Sequence, residues 1–133
     1  KWSNTFSYDN LDRLTNVTYP DGSTEVSVYE RLNVARTKDR LNRWTVNTYD
    51  GLGQLRSQRD PAGRVTKFEW CRCGALQELT DPMDRVTKWA YDVQGRNIGK
   101  TYPDTNQVET YTYENAISRL STVRDAAGNV FSN

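Results

Sequence analysis

Cys71 and Cys73, one residue apart in Trp70-Cys71-Arg72-Cys73-Gly74, are the side chains of this sequence best suited to redox or metal chemistry. A thiol pair at that spacing can close a small disulfide, supply half of a metal site, bridge to another chain, or remain as two free thiols. Zinc asks for four nitrogen or sulfur ligands, and these 133 residues hold two cysteines and no histidine. The missing histidine also removes the commonest general base. The 17 acidic residues follow one rhythm along the chain, as turn residues do, so no carboxylate pair stands apart as an acid–base couple. Trp2, Trp44, Trp70 and Trp89 are candidates for stacking on sugar rings. Asn16-Val17-Thr18 is an acceptor sequon for N-glycosylation. The sequence presents no catalytic constellation, no cofactor-binding pattern and no metal site.

The elements that carry these residues repeat. An aromatic opens each of six copies, at Tyr8, Tyr29, Tyr49, Trp70, Tyr91 and Tyr113, with spacings of 21, 20, 21, 21 and 22 residues. Each copy reads aromatic–acid–x–x–Gly–x–Leu, a polar stretch, Asp/Tyr–Pro–x–Gly, and a strand-like run to the next aromatic. Regular periods of this length mark arrays whose units pack against their neighbours. The boundaries are a partial repeat over 1–7, then repeats over 8–28, 29–48, 49–69, 70–90, 91–112 and 113–133. The chain begins and ends inside a repeat with no distinct capping unit, so the expectation is that further repeats or further copies flank it.

Two turn signals divide each repeat. Pro20, Pro61, Pro82 and Pro103 all fall at the second position of one turn, where proline presets φ; Gly22 and Gly63 close it. The other turn is expected to end in a left-handed residue at Asp12, Asn33, Gly53, Gly74 and Gly95. Strand-length segments lie between, such as Arg13 to Thr18 and Thr24 to Tyr29. The predicted fold is therefore all-β: tandem antiparallel β-hairpin repeats of about 21 residues forming a continuous spiralling sheet, solenoid or shell-like. The opening aromatics, with Phe6, Phe68, Trp89 and Tyr111 two residues earlier, are expected to share a face and form the core with an aliphatic column of Leu14, Val34, Leu55, Leu76 and Leu120. Trp2 and Trp44 have the opposite parity. Asn16 shares the parity of Leu14.

Composition supports a thin sheet. Only 35% of residues are hydrophobic and mean hydropathy is −0.88, yet four Trp, eight Tyr and three Phe oppose disorder and favour strands. Net charge of +1 with interspersed signs excludes a nucleic-acid face. No apolar run is long enough for membrane insertion by a helix.

Tyr49-Asp50-Gly51-Leu52-Gly53-Gln54-Leu55 followed by Asp60-Pro61-Ala62-Gly63-Arg64-Val65-Thr66 resembles the YD repeat of Rhs-family proteins. Tyr91-Asp92-Val93-Gln94-Gly95-Arg96 and Tyr8-Asp9-Asn10-Leu11-Asp12-Arg13-Leu14 resemble it equally, and the likeness runs through the whole chain. It implies a long sheet that spirals into a hollow shell or superhelix. It also implies membership of a group that includes bacterial polymorphic toxins, the shell component of insecticidal toxin complexes, wall-associated proteins and teneurins. The chain departs from the complete pattern: it has six repeats and no recognisable self-cleaving C-terminal core. Asp60, Asp81 and Asp125 occupy ordinary turn positions, so no protease role passes to them.

The expectation is a non-catalytic, secreted or cell-surface scaffold, bacterial in origin. Its partners would be neighbouring repeats or further copies of the chain, stacking into an extended β-assembly or filament. A stretch of toxin-enclosing shell, or an adhesion module for a glycan or a protein, are the other readings.

Overall fold

The computed structural model describes residues 3–103, 108–114 and 119–132. All regular structure among them is antiparallel strand, and no described helix is long and apolar enough to cross a membrane. The chain divides into two compact units, residues 1–66 and 67–133.

The first unit holds β1 (Thr5–Tyr8), β2 (Leu14–Thr18), β3 (Thr24–Glu30), β4 (Asn33–Lys38), β5 (Trp44–Tyr49) and β6 (Leu55–Arg59). Consecutive strands from β1 to β6 pair in chain order. The division falls within β7 (Val65–Trp70). The second unit continues with β8 (Leu76–Thr80), β9 (Val86–Tyr91), β10 (Asn97–Thr101), β11 (Val108–Tyr113), β12 (Leu120–Arg124) and β13 (Val130–Ser132), again paired in chain order. Tandem hairpins are thus the architecture, as the two turn signals require.

Every repeat carries a β-bulge at its opening aromatic. Tyr8 pairs with Leu14, but Ser7 pairs with Asn16 and Phe6 with Val17, so Thr15 is the extra residue. Its hydroxyl donates to the Ser7 carbonyl at 3.1 Å. The same shift recurs at Tyr29, Tyr49, Trp70, Tyr91 and Tyr113. A bulge strengthens the local twist and reverses the side-chain alternation of its strand.

That reversal corrects the parity expected for Asn16. Paired residues share a face, so Leu14 and Val17 lie with Tyr8 and Phe6, while Asn16 lies with Ser7 on the other face. The same rule adds a column that regular alternation conceals: Val17, Leu79 and Val123 stand opposite Phe6, Phe68 and Tyr111.

The expected aromatic and aliphatic core is only half-buried. Tyr8, Phe6 and Leu14 are 60%, 51% and 36% exposed, and the later aromatics are intermediate. Among the described residues Val17 is the one buried hydrophobic side chain, and Gly99 is buried in its strand. The columns do share a face: burial alternates along β7, β9 and β11 with the aromatics on the more covered side.

Candidate functional site

Both turns of the repeat are built on one clasp. In residues 9–13 the Asp12 amide donates to the Asp9 carbonyl at 3.1 Å and the Asp9 amide to the Arg13 carbonyl at 3.0 Å. Asp12 takes the left-handed position with φ 57, giving a three-residue loop closed by a bulge. The Asp9 side chain fills the inside of the turn. Its Oδ1 accepts the amides of Leu11 and Arg13 at 2.9 and 3.1 Å, and its Oδ2 accepts Arg13 Nε at 2.8 Å.

The same arrangement holds Asp39 with Arg43, Asp60 with Arg64, Asp81 with Arg85 and Asp92 with Arg96. Neutral Asn129 takes the arginine's place on Asp125. Hydrogen bonding, chiefly from the Arg13 and Arg43 side chains and then from backbone amides, holds the carboxyls of Asp9 and Asp39 below their ordinary value. Asp21 is brought down to about 2 by the side chain and then the amide of Ser23, with Arg40 assisting.

One turn departs from the sequence expectation. In the second copy Glu30 pairs with Asn33, leaving a two-residue loop in which Arg31, with φ 54, takes the left-handed position expected of Asn33. Asn33 opens β4 instead. This copy lacks one residue, so the five-residue clasp cannot form. A cavity of about 480 Å³ opens beside the shortened loop, lined by Arg31, Leu32, Asn47, Tyr49 and Leu52 among others. The Asn47 amide and Tyr49 hydroxyl within it both donate to the Val34 carbonyl at 3.0 Å.

The opening tyrosines join successive repeats. Pairing of β2 with β3 stops at Asn16 and Val26, so the Leu14 carbonyl lies beyond the ladder. Tyr29 Oη donates to it at 3.1 Å. Tyr49 does the same for Val34 at 3.0 Å, Tyr91 for Leu76 at 2.8 Å and Tyr113 for Asn97 at 2.7 Å. The hydroxyl thereby satisfies a carbonyl that the splayed strands leave unmatched. Clasp arginines lie over some of these rings: Arg13 is 4.2 Å from the Tyr29 centroid and Arg96 is 4.7 Å from that of Tyr113. Arg13 also donates to the Arg31 carbonyl at 2.6 Å. At the proline turns Arg40 reaches Asp21 at 2.7 Å and stacks 4.1 Å from Tyr19.

Cys71 and Cys73 occupy a clasp turn. The backbone follows the common form, with the Cys71 amide on the Ala75 carbonyl, the Gly74 amide on the Cys71 carbonyl and Gly74 at φ 85. Cys71 stands where the first, third and fifth copies have Asp9, Asp50 and Asp92, and Ala75 where the first and fifth have Arg13 and Arg96. The structure joins the two sulfurs, and the Cys73 amide donates to Cys71 Sγ at 3.1 Å.

A second polar group lies in the fifth repeat. Glu109 accepts Tyr111 Oη at 2.6 Å and Tyr102 Oη at 2.8 Å, and Lys100 Nζ lies 4.2 Å from the Tyr102 ring centroid. The Glu109 hydrogen bond, with partial burial behind it, raises the Tyr111 phenol to about 12.

The remaining sequence candidates stay apart from these groups. Pro61 and Pro82 sit in their turns with Gly63 and Asp84 at positive φ, and Pro20 sits with Gly22. Pro103 precedes residues outside the described set. The Asn16 amide is half-buried and donates to Thr18 Oγ1 at 3.0 Å. Trp44 is 38% exposed with the Arg36 guanidinium 5.3 Å from its ring. Trp2 lies outside the described residues. Sequence reading took the acids as turn residues but missed the arginine four positions later. The recurrence of Asp-x-x-(Gly/Asp/Asn)-Arg in both halves of the repeat was the signal for it.

Residues 3–24 and 49–70 match the family model of the RHS Repeat. Those two segments are accordingly YD repeats of the Rhs type. No curated protein matches it. Its fold resembles chains in the solved Photorhabdus luminescens Tc holotoxin pore (TM-score 0.64, 18% identity, 90% of this chain and 6% of the other). It likewise resembles a chain in the TcdB2–TccC3 crystal structure (TM-score 0.52, 17% identity, 94% of this chain and 7% of the other). The chain thus spans a small fraction of the length of either.

Proposed function

We propose that this chain is a non-catalytic stretch of β-sheet wall which, in a longer parent protein, helps enclose a toxin cargo. The observation that carries the reading is where the chain places its stabilising contacts. Each unit is held along the sheet by ladders, turn clasps and tyrosine bridges, and almost nothing is buried beneath it. Such an element can partition space without building a compact core. The likeness to Tc toxin chains favours a shell over end-to-end filaments of repeated copies. In this reading the protein is bacterial, acts outside the producing cell, and has neighbouring repeats as its first partners.

Electron microscopy of the intact parent protein tests it. Hollow particles are expected. Filaments with strands running from one copy to the next would replace the shell by a structural polymer, and elongated particles without an interior would overturn the enclosing role. The adhesion reading rests on Trp44, and its test is glycan-array binding abolished by Trp44→Ala.

A further inference from the structure

The two sulfurs lie in a turn that elsewhere in the chain holds an anion. In residues 81–85 the Asp81 Oδ1 accepts the amides of Met83 and Arg85 at 2.8 and 3.0 Å. In residues 92–96 the Asp92 Oδ1 accepts those of Gln94 and Arg96, both at 2.9 Å. The backbone of residues 71–75 closes as theirs does, with the Cys71 amide on the Ala75 carbonyl at 2.9 Å and the Gly74 amide on the Cys71 carbonyl at 3.0 Å. Cys71 Sγ occupies the carboxylate's place and already receives the first amide, that of Cys73.

We propose that Cys71 and Cys73 form a thiol–disulfide exchange site for small thiols and dithiols, in which Cys73 is attacked and Cys71 leaves as a thiolate seated in the turn. The asymmetry follows from position. Cys73 is exposed whereas Cys71 is half-buried, so the incoming thiolate reaches Cys73 more readily. The sulfur that leaves faster is the one with the more stable thiolate.

A dithiol thiolate attacks Cys73 Sγ and forms a mixed disulfide there. The Cys71–Cys73 bond breaks and its electron pair remains on Cys71 Sγ. The second dithiol sulfur, after losing its proton to water, attacks the first and closes the dithiol's own disulfide. Cys73 departs as a thiolate and takes up a proton. The protein disulfide gains two electrons and the dithiol loses two.

The seat does not depend on an arginine. Asp125 is held by the neutral Asn129 side chain and then by backbone amides, and it still lies below its ordinary value. Arg72, between the two cysteines, is the charged residue within the turn and favours a thiolate. Glu69 and Glu78 oppose it from the flanking strands, where they pair with each other, and Glu78 is countered by Lys88 at 2.9 Å.

The test is differential alkylation of the reduced intact chain with iodoacetamide across pH. Trypsin cuts after Arg72, so the two cysteines fall on separate peptides and no substitution is required. Cys71 is expected to titrate at least about one unit below the ordinary thiol value of about 8.5 and to alkylate severalfold faster than Cys73 at pH 7. Limiting monothiol added to the oxidised chain is expected to be trapped on Cys73. Equal titration of both thiols near about 8.5, or trapping on Cys71, would overturn the assignment. Cys73→Ala and Cys71→Ala, checked for native circular dichroism, repeat the comparison one thiol at a time.

Discussion

Tyr91 reaches back fifteen residues to Leu76, its phenol donating to the Leu76 carbonyl at 2.8 Å. That contact, repeated by Tyr29, Tyr49 and Tyr113 in their own repeats, explains why the opening position favours tyrosine over phenylalanine. The ring covers the sheet face, while the hydroxyl completes a carbonyl that the splayed strands cannot pair.

Tyr91→Phe keeps the ring and removes that bond. It is expected to destabilise the fold by about 1 kcal/mol, read as a lower urea midpoint with unchanged slope. Tyr91→Ser removes the ring as well. Hydrogen-exchange protection should then fall in the preceding repeat as well as its own, and loss confined to one repeat would contradict the bridge.

Within a clasp the carboxylate should matter more than the cation. Asp60→Ala strands the amides of Ala62 and Arg64, which its Oδ1 accepts at 2.9 and 3.0 Å. Arg64→Ala removes only an exposed ion pair, of a kind that contributes little. The expected order of thermal midpoints is wild type, then Arg64→Ala slightly lower, then Asp60→Ala clearly lower.

The titrating groups set opposite limits on pH. Asp9, Asp39 and Asp21 are depressed in the fold relative to an unfolded value of about 3.9. Their contribution is complete above that value and is lost as pH falls through the folded values, Asp21 persisting to about 2. Tyr111 is raised, so its contribution is complete below about 10 and is lost as pH rises towards about 12. Urea midpoints should therefore hold steady near neutrality and decline at both ends. Tyr111→Phe should remove its share of the alkaline decline.

Backbone handedness predicts a pair of opposite effects. Gly63 has φ 82 and open space where a Cβ would sit, so Gly63→Ala should cost about 1 kcal/mol from conformation alone. Arg31 holds φ 54 in the shortened loop, so Arg31→Gly should stabilise by up to about 1 kcal/mol. Equilibrium denaturation of the two variants against wild type measures both.

The repeat, its two turns and its strands were legible in the chain because their determinants are local. Pro61 fixes its own φ, Gly63 and Gly95 admit a left-handed backbone, and Tyr49 to Leu55 carries a complete turn in seven letters. The second copy misled at Asn33 because deleting one residue changes the loop class, and the left-handed position then passes to whichever residue comes first. The face shared by the aromatics and Leu14 was legible too, but the side taken by the residues past each bulge was not. Thr15 carries no mark that it will be the unpaired residue of a bulge, since a bulge belongs to two strands in register and to neither alone. Only that register turns Val17 to the side of Leu14 and Asn16 away from it. The tyrosine bridges and the placing of Cys71 in an aspartate's seat are tertiary for the same reason: their hydrogen bonds depend on where a neighbouring strand ends or how a turn closes.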